Sequence, residues 1–336
     1  MEKPTLVDMP DNVLAQIAKA CGFLSIQKLR KVCSKFRNVI DEYPPDATCE
    51  KIEIFVTPSS IEITYITSEE IFLIEYKKNE IGCLVAHDEN EKMVTGMNYV
   101  DTFCHDFQLN LRFQKSKFYL LELNCENGEP YLEVLDKLPA IWNSRRHKLK
   151  VEYLDLKVRS LSHVISTLPF MDPEVLKTVE IDSSTFSDFS IEDMEEMSKL
   201  EQWKSAEHIY FCAEIDDSSC FDKFVHLEGA IISIKKLSLE DCLSLKKKFL
   251  ESTIMEFCCL YYYIFHEQSD LLDLMGHHAT EENELQSWYF KTPKSDDILK
   301  IEFELKFPYY KDLFRLAFFR VKMDDIPDNA TVREMF

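Results

Sequence analysis

Apolar residues recur at helical spacing near the start of the chain and at alternate positions through much of the rest. Val13, Leu14, Ile17 and Cys21 share one helical face. Pro10 suits the first position of that helix, Asp11 favours its positive start, and Gly22 is placed to end it. Ser25 caps a second run carrying Ile26, Leu29, Arg30, Val32 and Cys33, and Ser34 caps a third carrying Phe36, Val39 and Ile40. Pro44-Pro45 then breaks helix on both sides and marks a junction.

Beyond the junction the period changes from helical to two. Residues 51–56 and 61–66 alternate about Pro58-Ser59-Ser60, which predicts a hairpin, and further strand-like runs at 70–76 and 83–86 extend it into a small antiparallel sheet. A helix over 101–113 closes this part.

Farther along, a short apolar-polar-apolar strand recurs at 151–156, 178–181, 208–211 and 236–239. Leu154, Val179, Ile209 and Leu237 are 25, 30 and 28 residues apart, near the period of leucine-rich repeats, and a weaker copy sits at 256–259. Helical patterns fill the gaps. The expected fold is α+β or α/β: a three-helix N-terminal unit, then a leucine-rich-repeat-like solenoid of short strands and helices, closed by strands at 299–305 and 319–323. Boundaries are expected at 1–43, 44–130 and 131–336. The alternating residues Tyr153, Asp155, Lys157, Thr178, Glu180, Asp182, His208, Tyr210, Lys236, Ser238 and Glu240 would form an exposed row on the concave side.

Composition narrows the function. Sixty acidic against 39 basic residues give a net charge of −21, which repels nucleic-acid phosphates and anionic lipid headgroups. The 336 residues allow about two domains, and Gly (6) and Pro (12) are scarce enough to disfavour long disordered stretches. Eleven scattered cysteines without a signal-peptide pattern point to a reducing cytoplasmic or nuclear setting, and the apolar window 254–265 is too short to span a bilayer.

The N-terminal pattern, with Met9-Pro10, the apolar set Val13, Leu14 and Ile17, and the ending Val32-Cys33-x-x-Phe36-Arg37, resembles an F-box. The family opens Leu-Pro where this chain has Met9-Pro10. About forty residues do not enclose so much apolar surface alone, which fits a partner-dependent unit. The resemblance implies docking on a Skp-type adaptor, and through it a cullin, by Leu6, Met9, Pro10, Val13, Leu14, Ile17, Leu29, Val32, Cys33 and Phe36. A second set, Leu154-Asp155-Leu156, Leu168-Pro169, Glu201-Gln202-Trp203-Lys204-Ser205-Ala206, Phe224-Val225-His226-Leu227 and Ser238-Leu239-Glu240-Asp241, resembles the FTH domain of the nematode F-box A family. The combined resemblance implies a non-catalytic substrate-recognition adaptor of a Skp-cullin-F-box ubiquitin ligase, its FTH domain recruiting a protein substrate. The alternative is a ligase-independent interaction module.

Tyr153, Asp155, Glu180, Asp182, His208, Tyr210 and Glu240 are the candidate substrate contacts, and their charge favours a basic or lysine-rich segment. Catalytic readings fail on geometry. Cys104-His105-Asp106 lie side by side on one helix, where neighbours point about 100° apart. His277-His278 with Glu281, Glu282 and Glu284 reads as a solvated loop, because adjacent imidazoles rarely chelate one ion. No glycine-rich phosphate loop is present, and neither cofactor nor metal is expected.

Overall fold

The computed structural model describes residues 5–46, 48–125, 129–158, 160–183, 191–215, 218–278, 280–282, 285–292, 296–304 and 313–334. Two compact units divide the chain, residues 1–157 with 166–176, and residues 158–165 with 177–336. Among the described residues no helix is long and apolar enough to cross a membrane.

The first unit opens with helices α1 (Asp11–Lys19), α2 (Phe23–Val32) and α3 (Ser34–Glu42). Their caps differ from the sequence reading. Pro10 is the N-cap of α1 rather than its first residue, Gly22 starts α2 three residues ahead of Ser25, and Cys33 precedes α3 where Ser34 was expected. Strands β1 (Lys51–Val56), β2 (Ser60–Ile66), β3 (Ile71–Asn79), β4 (Gly82–His87) and β5 (Asn90–Thr95) follow as an antiparallel meander. Thr57 shapes the first hairpin by accepting the amide protons of Ser59 and Ser60, and Thr67 does the same for Glu69 and Glu70 in the second. Helix α4 (Tyr99–Leu111), capped by Asn98, leads to β6 (Phe118–Cys125), and α5 (Glu129–Asn143) leads to β7 (Val151–Val158). The strand order is β7-β6-β1-β2-β3-β4-β5, with β6 parallel to both β1 and β7.

One face of this sheet is the core. Ile52, Ile54, Ile61, Ile63, Tyr65, Phe72, Tyr76, Leu121 and Leu123 are buried, as period two requires. Tyr76 meets Phe103 of α4 edge-on at 5.7 Å, and Phe107 meets Trp142 of α5 at 5.7 Å. The N-terminal helices join the same face. Phe23 packs on Tyr65 at 4.6 Å and on Phe72 at 6.0 Å, while the Arg30 guanidinium lies 5.4 Å over the Phe113 ring. Asp46 fastens the junction by accepting from the Lys115 and Ser116 amides at 3.0 and 3.2 Å.

The second unit begins near α6 (Leu161–Thr167), which the division crosses, and continues with β8 (Thr178–Ser183), α7 (Ile191–Met197), α8 (Glu201–Ser205) and β9 (His208–Ile215). Then come β10 (Gly229–Leu237), α9 (Leu239–Glu251), β11 (Phe257–Phe265), α10 (Gln268–Met275) and the strands β12 (Thr280–Glu282), β13 (Leu285–Lys291), β14 (Ile298–Glu304), β15 (Phe314–Val321) and β16 (Val332–Arg333). Strands β8, β9, β10 and β11 are parallel and adjacent in chain order, and β11-β15-β14-β13-β12 continue antiparallel. The fold is thus α+β, three helices followed by sheet with flanking helices. The apolar window 254–265 is largely β11, with Cys258, Leu260 and Tyr262 buried.

The fourth repeat strand lies earlier than its sequence position. It runs from Gly229 to Leu237, and Ile209 pairs with Ala230 rather than Leu237. The capping box of Ser238 and Asp241 starts α9 immediately after it, so Ser238 and Glu240 leave the sheet. The expected strand at 299–305 runs as β14 up to Glu304, and Leu305 lies outside the described residues.

The seating of Phe23 gives a direct test. Phe23→Ala removes a fully covered ring and should cost about 3 kcal/mol or more. Denaturant unfolding of the full chain measures it, accompanied by faster proteolysis within 11–42. A cost near that of a surface substitution would contradict the packing.

Candidate functional site

Two kinds of surface carry the candidate residues. The first is formed by the N-terminal helices. Leu14 and Phe36 lie at 0% and 2% exposure in a cluster with Ala15 and Val39, and Met9, Ile17, Leu29 and Cys33 pack on its margin. Leu14 and Phe36 are therefore enclosed among the side chains of α1 and α3 in their own chain. The outward positions are others. Leu6 is 42% exposed and Val32 is 63% exposed, Pro10 is exposed, and Val13 is half-buried.

Lys35 holds the first turn in place, donating from Nζ to the Val7 and Met9 carbonyl oxygens at 2.8 Å each. Arg30 pairs with Asp41 at 2.9 Å across α2 and α3. Val7 and Tyr43 are exposed apolar residues on the same three-helix segment that the sequence reading passed over.

The second kind of surface is the open face of each sheet. In the first unit it carries Tyr153 and Asp155 of β7, with Tyr153 6.1 Å from the Tyr119 ring. In the second unit it carries Glu180, Asp182, His208 and Tyr210, all half-buried. Register sets Thr178 beside His208 and Glu180 beside Tyr210. Glu240 is on α9 and belongs to neither face.

Gly229 explains the local shape around His208. It lies between His208 on β9 and Phe257 on β11, and those two rings stack at 5.9 Å across it. A Cβ at this position would stand 2.2 Å from the Phe257 ring and 2.8 Å from the His208 ring. A glycine within a strand was the available signal, since it marks a close approach. Trp203 anchors the opposite side. It is fully buried, donates to the Lys223 carbonyl at 3.0 Å, and packs edge-on against Phe224 at 5.4 Å.

The groupings with catalytic residue types are spread by the fold. Cys104 is buried, and that burial pushes its thiol up to about 12, while His105 is exposed and Asp106 accepts from the Tyr76 hydroxyl at 3.2 Å. The His278 ring meets Trp288 edge-on at 6.2 Å, and Glu284 lies outside the described residues.

A family model for the F-box domain matches residues 6–47, and one for the FTH domain matches residues 133–272. Neither the curated proteins nor the solved structures contain a match. The FTH match spans the division between the two units, and the strand segment 48–125 falls between the two matched regions.

A double-mutant cycle tests the Gly229 arrangement. Gly229→Ala should cost about 1–3 kcal/mol by displacing the Phe257 ring. In a Phe257→Ala background the same change should cost clearly less, as read by denaturant unfolding. Equal costs in both backgrounds would show that the ring does not confine this position.

Proposed function

From an F-box followed by an FTH domain, the architecture described for the F-box A family, we propose that the protein holds a substrate at a Skp-cullin-F-box ubiquitin ligase. The F-box itself indicates a substrate-adaptor role in ubiquitin ligation. The observation that carries the docking reading is how α1–α3 are buried. Leu14 and Phe36 close the internal core, whereas Leu6 and Val7, on a turn that Lys35 fixes, and Val32, at the end of α2, remain exposed.

Such a pre-formed apolar edge suits burial against a Skp-type adaptor, since exposed apolar clusters mark interaction sites. Met9, Pro10, Val13 and Cys33 flank it. In this reading the adaptor links the chain to a cullin, and the reaction belongs to other subunits. The parallel run β8–β11 is read as a leucine-rich-repeat-like stack whose open face, with Glu180, Asp182, His208 and Tyr210, holds the protein substrate. Tethering then raises the effective concentration of a substrate lysine near the transferred ubiquitin. A cytoplasmic or nuclear location goes with this role.

Val32→Asp and Leu14→Asp separate docking from folding. Val32→Asp should leave the thermal midpoint unchanged and weaken binding to a purified Skp-type adaptor by about tenfold or more. Leu14→Asp buries an unpaired charge and should unfold the helices themselves. Wild-type affinity in a folded Val32→Asp chain would remove the docking edge from this face.

A further inference from the structure

The strands between the two matched regions carry an open face with unusual placement of charge. Register sets Glu53 of β1 beside Glu122 of β6. One row farther along, Glu62 of β2 lies opposite Glu75 of β3. Neighbouring strands are only about 4.8 Å apart, and like charges directly opposite destabilise a sheet. Lys77 relieves one end, reaching Glu75 at 3.0 Å and Glu91 at 3.9 Å, while Lys51 lies 5.8 Å over the Tyr119 ring.

Large apolar side chains stand among these carboxylates. Phe55 is 36% exposed, Leu73 47%, Tyr119 50% and Ile71 69%. Their alternate neighbours Ile52, Ile54 and Phe72 fill the core on the other face, so the exposure follows from the pleat and not from fraying. Both features lower the stability of the isolated sheet. Departures from local rules of this kind collect at surfaces that bind.

We propose that this open face binds a protein segment in which basic and large apolar side chains alternate. Lysine or arginine side chains would sit between Glu53 and Glu122 and end their repulsion, while apolar neighbours pack on Phe55 and Leu73. Charge complementarity selects this occupant. A second copy of the chain carries −21 itself, and nucleic acid or an anionic membrane would be repelled. Limited to β1–β6, the surface lies outside both matched regions, and binding there would be independent of adaptor docking and would extend substrate recognition beyond the FTH strands.

The probe is a fluorescent synthetic peptide of alternating lysine and leucine or phenylalanine, titrated into the full chain by anisotropy. Its counterpart has glutamate at every lysine. The lysine peptide should bind with an affinity that falls as salt rises, and the glutamate peptide should not bind. Glu53→Lys with Glu122→Lys should weaken binding about tenfold or more. Glu195→Lys with Glu196→Lys, the same change of charge on exposed α7, should leave it within about twofold.

Equal losses in the two variants would mean diffuse attraction to an acidic protein and overturn the proposal, as would absence of binding to wild type. Should the double variant fail to fold, Glu122→Gln decides. It should hold or raise the thermal midpoint while weakening the lysine peptide, and a lowered midpoint would identify Glu122 as an internal structural partner and overturn the proposal. Adaptor affinity is read separately, so either result stands without the other.

Discussion

The seating of Phe23 on Tyr65 and Phe72 is the contact on which the arrangement of the N-terminal unit depends. Three short helices carry more apolar surface than they can enclose among themselves. The sheet takes Phe23, the cluster around Leu14 and Phe36 takes a second share, and the remainder faces outward at Leu6, Val7 and Val32. Because Asp46 and Arg30 fasten the same helices to the segment around Phe113 to Ser116, the outward remainder is presented from a fixed base. An edge held this way would bind the proposed adaptor with little ordering cost.

The second unit solves a different problem, that of stacking parallel strands closely. Trp203 fills the space behind β9 with its indole nitrogen satisfied by the Lys223 carbonyl, and Gly229 lets His208 and Phe257 close over the strand between them. Parallel strands need covered connections, and α9 between β10 and β11 supplies one. The antiparallel strands after β11 reverse that pattern, with β15 pairing directly against it. The net charge of −21 disfavours anionic partners for the open faces, in keeping with the basic segment proposed.

Much of this was legible in the residues, and the failures have identifiable causes. Periods of 3.6 and 2 located α1–α3 and the β1–β2 hairpin because each buries one face against one layer. The fourth repeat strand was misplaced because Ser238-Leu239 reads as strand while Ser238 and Asp241 form a helix cap. Helix α5 escaped notice with Pro139 inside it, and β5 is an exposed strand with little apolar alternation. Helical spacing identifies Leu14 and Phe36 as part of an apolar face without saying which neighbour covers it. Only the tertiary packing separates those two from Val32. The like-charge rows on the open face depend on register, which no single strand discloses.

Hydrogen exchange on the full chain, with and without a purified Skp-type adaptor, tests most directly whether the N-terminal helices dock outward while remaining seated on the sheet. The account predicts added protection at 6–13 and 29–33, with the amides of β2 and β3 unchanged. Loss of protection in β2 and β3 on adaptor binding would show that Phe23 leaves its seat, and unaltered exchange at 6–13 and 29–33 would show that this edge is not where an adaptor docks.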